Sequence, residues 1–159
     1  MAIEIGQEAP GFTLPRAGGG EVSLSDFRGV RNVVLFFFPQ AFSPFCTPQL
    51  RAVGANEARY SAEDAQVIGI SVDNHEPLRV FAEQLGLTDE ILLSDFEPKG
   101  AVAAAYGVYS PAPWGMAGRA VFVVDRNGIV RHRALTETPL ELPDEEPNFA
   151  ALAACTLGG

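Results

Sequence analysis

The sequence predicts an α/β domain with a central mixed β-sheet flanked by helices and a β-hairpin extension at the N-terminus. Three observations carry this expectation. Residues 32–38, Asn-Val-Val-Leu-Phe-Phe-Phe, form an apolar run without alternation, the pattern of a central strand covered on both faces. Strand-like and helix-like segments then alternate as far as residue 106, the order that builds parallel strands. Finally, residues 120–124 and 129–133 flank Asp125-Arg126-Asn127-Gly128, which reads as an antiparallel hairpin. With 159 residues and 47% hydrophobic content, the chain can bury a sizeable core, and residues 1–159 read as one domain.

Taken in order, Gly11–Leu14 and Glu21–Leu24 flank the turn segment Ala17-Gly18-Gly19-Gly20 and form the N-terminal hairpin. The central strand 32–38 leads through Pro39-Gln40-Ala41-Phe42 into a helix expected over 43–60. Ser43 is its N-cap and Pro44 its first helical residue. Gln66–Ser71 is a second buried strand. Glu76–Leu85 is a helix because Leu78, Phe81, Ala82 and Leu85 recur at helical spacing. Ile91–Ser94 reads as a short strand, and Gly100–Tyr106 as a small Ala-rich helix. In the late hairpin, Asn127-Gly128 is expected to supply positive φ angles. A Pro- and Glu-rich stretch, 137–147, precedes a closing helix over 148–156. This β-α-β-α then β-β-α order is that of a thioredoxin-like fold.

Eleven basic and twenty acidic residues give a net charge of −9. Binding to a phosphate backbone draws its affinity from clustered Lys and Arg, so the charge argues against nucleic acid and against an anionic membrane surface. The first eight residues have neither a basic nor an apolar segment of the kind that targets secretion. No apolar run approaches the length of a membrane span. Together with only two cysteines, 46 and 155, this points to a reducing, cytoplasmic setting rather than a disulfide framework. His75 and His132 show no ligand spacing, and no glycine-rich phosphate loop follows a strand. Neither a metal nor a cofactor is expected.

Cys46 is the most informative residue. A helix beginning at Ser43 puts it in the first turn, where backbone N–H groups and the positive end of the helix dipole favour thiolate over thiol. An isolated cysteine is more often a small buried hydrophobe, so the neighbouring motif must decide. Pro39-x-x-x-Ser43-x-x-Cys46 resembles the signature of the peroxiredoxins, the alkyl hydroperoxide reductase/thiol-specific antioxidant superfamily. Ala9–Leu14, Val22–Gly29, Ile68–Asp73 and Arg119–Asp125 agree with it, so the resemblance runs from about residue 5 to 133. Leu93-Ser94-Asp95-Phe96 and Ala105-Tyr106-Gly107-Val108-Tyr109 look most like the one-cysteine, AhpE-type branch. Two positions depart from common patterns. Gln49 stands where many members carry a Glu that braces an Arg, and Arg51 stands where some members carry a resolving Cys.

The resemblance implies a thiol-dependent peroxidase that reduces hydrogen peroxide, organic hydroperoxides or peroxynitrite without a cofactor. Cys46 would attack one peroxide oxygen and become a sulfenic acid. Ser43, one helical turn before it, would hydrogen-bond the substrate. Arg119 would bring a permanent positive charge to the sulfur and the transition state. Pro39 would close the back of the pocket with a ring that has no N–H to offer. Gln49 would be a supporting residue. Each has a plainer reading: Ser43 as an N-cap alone, Arg119 and Gln49 as surface residues, and Phe42, Phe45 and Trp114 as core or interface rather than an apolar collar. Cys155 is a candidate resolving thiol, but its Cα would have to come within about 7 Å of that of Cys46. The favoured route is an external reductant, either a small thiol or a thioredoxin- or glutaredoxin-like protein. Family habit also implies a homodimer. Two other classes compete. A thiol–disulfide oxidoreductase would want a second Cys at position 49, and a peroxide sensor would relay its oxidation to a partner.

Overall fold

Every residue from 32 to 37 is buried, as an apolar strand without alternation requires if both of its faces are to leave water. The computed structural model describes residues 3–44, 46–87, 91–110, 115–136 and 143–158, excepting the side chains of 156–158. In chain order the elements are β1 (Thr13–Pro15), β2 (Glu21–Ser23), β3 (Asn32–Phe37), α1 (Cys46–Ala55), α2 (Glu57–Ala62), β4 (Ala65–Ser71) and α3 (His75–Leu85). They continue with β5 (Ile91–Ser94), α4 (Ala101–Ala105), β6 (Tyr109–Ser110), β7 (Met116–Ala117), β8 (Ala120–Val124), β9 (Val130–Leu135) and α5 (Glu146–Gly158).

The main sheet has the order β5-β4-β3-β8-β9, with β3, β4 and β5 parallel and β8 and β9 antiparallel to their neighbours. The expected mixed sheet of a thioredoxin-like fold is therefore present. Alternate residues of β3 serve different layers, as the two-residue period of a strand dictates. Val33, Leu35 and Phe37 pack with the N-terminal hairpin (Leu14, Val22) and with Ala103 and Tyr106. Val34 and Phe36 pack with Val53 and Tyr60 and, from α5, Phe149 and Leu152. Beyond the end of β3, Phe38 joins Cys46, Leu50, Leu78 and Phe81 in a smaller cluster between α1 and α3.

The structure corrects several sequence-based expectations. The helix expected over 43–60 is two helices, because Asn56 leaves helical geometry (φ −99°, ψ 7°) and its side-chain amide donates to the Glu145 carboxylate at 3.2 Å. Asn competes with the helix by such polar contacts. In the β8–β9 turn only Gly128 has positive φ (+82°), while Asp125 Oδ1 accepts the N–H groups of Asn127 and Ile129 at 2.9 and 3.0 Å. Asn127 therefore lacks the positive φ that the sequence reading expected of it together with Gly128. The closing helix begins at Glu146, two residues early, since Pro is tolerated in a first helical turn. The two-residue strands β6 and β7 were too short to leave a periodic signal. Of the aromatic collar, Phe45 and Trp114 lie outside the described residues. No helix among the described residues is long and apolar enough to cross a membrane.

Candidate active site

The site forms where β3 ends. Because Phe37 pairs with Ala120 across the antiparallel β3–β8 ladder, Arg119 lies beside the loop that leaves β3. Thr136 holds its backbone from the neighbouring side, where both the N–H and the hydroxyl donate to the Arg119 carbonyl, at 3.2 and 3.3 Å. The loop from buried Pro39 to Ser43 carries the chain to α1, whose first assigned residue is Cys46.

The assigned helix starts three residues after Ser43, yet the capping bonds expected of Ser43 are in place. Its Oγ accepts the Cys46 N–H at 2.9 Å, and its carbonyl accepts the Thr47 N–H at 3.1 Å. One of the orphan donors of the first turn is thereby satisfied. The same hydroxyl retains its proton and a second lone pair. Capping and substrate contact are therefore compatible in one side chain.

Cys46 is fully buried, and Arg119 and Gln49 are 3% and 4% exposed. Arg119 Nη2 donates to Cys46 Sγ at 3.2 Å, and Nη1 donates to Gln49 Oε1. The guanidinium fork thus spans one helical turn of α1, touching residues 46 and 49, which face the same way at i, i+3 spacing. A charge-assisted N–H···S contact in a buried site is stronger than the same contact in water. Gln49 supplies its brace as a neutral amide oxygen, without the carboxylate that would compete with sulfur for the positive charge. The plainer readings of Arg119 and Gln49 as surface residues do not match their burial. Phe42 adopts a left-handed backbone (φ 65°), is 47% exposed, and places its ring 5.0 Å from that of Phe81.

Cys155 is not brought to this cluster. It is half-buried on α5, and its charged neighbours are Asp125 and Arg131. Burial pushes its thiol up, Asp125 pushes it further, and Arg131 pulls it down. Asp125 follows β8 whereas Arg119 precedes it, so the strand Ala120–Val124 separates the two thiols' charged neighbours. Six residues of strand span roughly 20 Å.

Sequence reasoning gave no role to Ser71, which ends β4, or to Asp73 just beyond it. Asp73 Oδ2 accepts the Ala41 N–H at 2.8 Å and the Ser71 hydroxyl at 2.7 Å. Polar residues closing an otherwise apolar strand were the available signal. Asp95 is buried, and it accepts the N–H groups of Val102 and Ala103 at the start of α4, at 3.1 and 2.9 Å. Burial holds its carboxyl above the ordinary range, against the pull of those two donors.

Known proteins place this arrangement in context. Residues 5–133 match the family model described as AhpC/TSA family. The chain is 39% identical over 154 residues to alkyl hydroperoxide reductase E of Mycobacterium tuberculosis strain H37Rv, covering 97% of this chain and 99% of the relative. The crystal structure of peroxidoxin BcpB from Mycobacterium tuberculosis superposes with a TM-score of 0.82 at 29% identity, covering 98% and 97% of the two chains. The reduced 2-Cys peroxiredoxin of Plasmodium vivax shares the fold, with a TM-score of 0.87 at 23% identity over 96% of this chain and 82% of that one. These likenesses bear out the branch that the segments around residues 93–96 and 105–109 suggested. A match over most of the chain, on a thioredoxin-like fold, makes this protein a member of the AhpC/TSA family, the peroxiredoxins.

Proposed function

We propose that residues 1–159 form a single peroxiredoxin domain in which Cys46 is the peroxidatic nucleophile, with Ser43, Arg119 and Pro39 as its catalytic neighbours and Gln49 as their support. The chain is a thiol-dependent peroxidase, an oxidoreductase. The observation that carries the residue assignment is the 3.2 Å contact from Arg119 Nη2 to Cys46 Sγ. In the reaction the Cys46 thiolate attacks one oxygen of R–O–O–H in line. The S–O bond forms as the O–O bond breaks, and the departing oxygen leaves with the bonding pair and takes up a proton. Sulfur is oxidised to sulfenic acid while the peroxide is reduced to an alcohol or water. Arg119 stabilises the reacting sulfur and the negative charge developing on oxygen. Ser43 orients the peroxide, and Pro39 presents no donor that would compete for it.

Regeneration takes two thiols. The first displaces water from the sulfenic acid to give a mixed disulfide, and the second releases Cys46 as thiol. The placement of Cys155 beside Asp125 and Arg131 supports an external reductant, a small thiol or a thioredoxin- or glutaredoxin-like protein, over internal resolution. The same reading includes a homodimer and a cytoplasmic setting, which suits a working thiol.

Stopped-flow consumption of hydrogen peroxide and of an organic hydroperoxide by pre-reduced protein, with intact-mass readout, tests these assignments. We expect Cys46→Ser to abolish the fast reaction, Cys155→Ser to leave it unchanged, and the wild type to gain 16 mass units or a small-thiol conjugate. An internal disulfide lost in Cys155→Ser would restore resolution by Cys155. One fast oxidation without turnover under excess reductant would instead favour a sensor that relays its oxidation.

A further inference from the structure

The loop that carries Ser43 holds a non-glycine residue, Phe42, in the left-handed region, a conformation that persists only where the surroundings over-determine it. The restraint lies one residue earlier. Ala41 N–H donates to Asp73 Oδ2 at 2.8 Å, across from the end of β4. That oxygen is held in turn by the Ser71 hydroxyl at 2.7 Å, and Ser71 Oγ accepts the Asp73 N–H at 3.2 Å. From β5, the Ser94 hydroxyl donates to the Asp73 carbonyl at 2.6 Å. Ser71 and Ser94 are 0% and 3% exposed, so the cluster is anchored inside the sheet. The Phe38 N–H bond to the Ile70 carbonyl at 3.0 Å continues the β3–β4 pairing up to the start of the loop. Together these contacts tie the segment between Pro39 and Ser43 to two parallel strands.

We propose that Asp73 is a positioning residue for peroxide reduction, pinning the loop through Ala41 so that Ser43 and Pro39 keep their places around Cys46. The proposal rests on the assignment of Cys46 as the peroxidatic residue. Without the tether, the loop loses the bond beside its strained residue. Ser43 then drifts relative to the sulfur, and misplacement by about 1 Å is enough to cost up to about a hundredfold in rate. Asn at this position keeps an acceptor oxygen for the Ala41 N–H, whereas Ala removes it.

The test compares two reactions of the same sulfur in wild type, Asp73→Ala and Asp73→Asn: the second-order rate with hydrogen peroxide, which uses Ser43, and alkylation of Cys46 by iodoacetamide, which does not. Asp73→Ala should slow the peroxide reaction by at least about tenfold while alkylation changes less than about threefold, and Asp73→Asn should recover most of the loss. Asp73→Ala matching wild type overturns the proposal. So does an equal fall in both reactions, or an Asn variant as slow as the Ala variant. If Asp73→Ala does not fold, Ser71→Ala decides, because it removes the hydroxyl that holds the carboxylate. A selective loss of peroxide rate supports the tether, and no selective loss overturns it. A wild type that consumes no peroxide would instead defeat the assignment of Cys46, and so be distinguished from failure of the tether.

Discussion

Cys46 and Cys155 are the same side chain in opposite settings. The first is fully buried at the end of β3 with an arginine N–H on its sulfur. The second is half-buried on α5, where burial and Asp125 both hold its proton in place against the pull of Arg131 and of a backbone hydrogen bond. The thiol with more access to solvent is thus the one whose surroundings keep it a thiol, while the enclosed one faces a cation. On the proposed assignment of Cys46, reactivity would follow the charges aimed at sulfur rather than exposure.

The sharpest way to break that contrast is to remove the cation. Arg119→Ala should slow the reaction of Cys46 with peroxide by about 10²–10³-fold, the usual cost of losing a preorganised donor, and leave alkylation of Cys155 unchanged. Arg119→Lys should recover only part, since one ammonium cannot reach both Cys46 and Gln49 as the fork does. Stopped-flow rates for the first thiol and mass-resolved alkylation for the second make the comparison. Parallel losses at both would show that Arg119 serves the fold and not the sulfur.

A smaller effect tests how the cation is held. Gln49→Ala removes the acceptor for Nη1 and should cost about tenfold in peroxide rate, within the range for a hydrogen bond to a charged group. Gln49→Glu restores a carboxylate brace and should stay within about threefold of wild type, since the acceptor is kept. An Ala variant as fast as wild type would make the brace passive.

The smallest expected effect sharpens the other side of the comparison. In a Cys46→Ser background, alkylation of Cys155 should rise through a midpoint above the unperturbed cysteine value of about 8.5. Asp125→Asn should bring that midpoint down, and Arg131→Ala should push it up. Because the folded value is raised, the associated stability is complete below the unfolded value and is lost as pH rises through the folded one. A midpoint at or below that of a free thiol would remove the contrast between the two sites.

Much of this was legible in the chain. The apolar run at 32–38, the parallel pairing implied by β-α alternation, and Ser43-Pro44 ahead of Cys46 are local patterns, and each corresponds to an observed strand, ladder or cap. Local patterns failed where a distant residue intervened. Asn56 ends α1 with its side chain on Glu145, 89 residues away. Gln49 read as easily as a helix-surface residue as a brace until the buried guanidinium was found against it. Asp73 carried no motif that pointed to Ala41, 32 residues earlier.

By itself the sequence determined the order of the five main-sheet strands, the burial of β3 on both faces, and the presence of a cysteine in the first turn of a helix, because hydrophobic period, capping and turn chemistry act over a few residues. The tertiary structure alone decided which charges each cysteine meets. That depends on the pairing of Phe37 with Ala120, which sets Arg119 beside Cys46 and carries Asp125 to the far end of the strand. Strand register is a long-range property, settled when the whole sheet closes over its core, and it sets a guanidinium on the sulfur of one cysteine and Asp125 with Arg131 near the other.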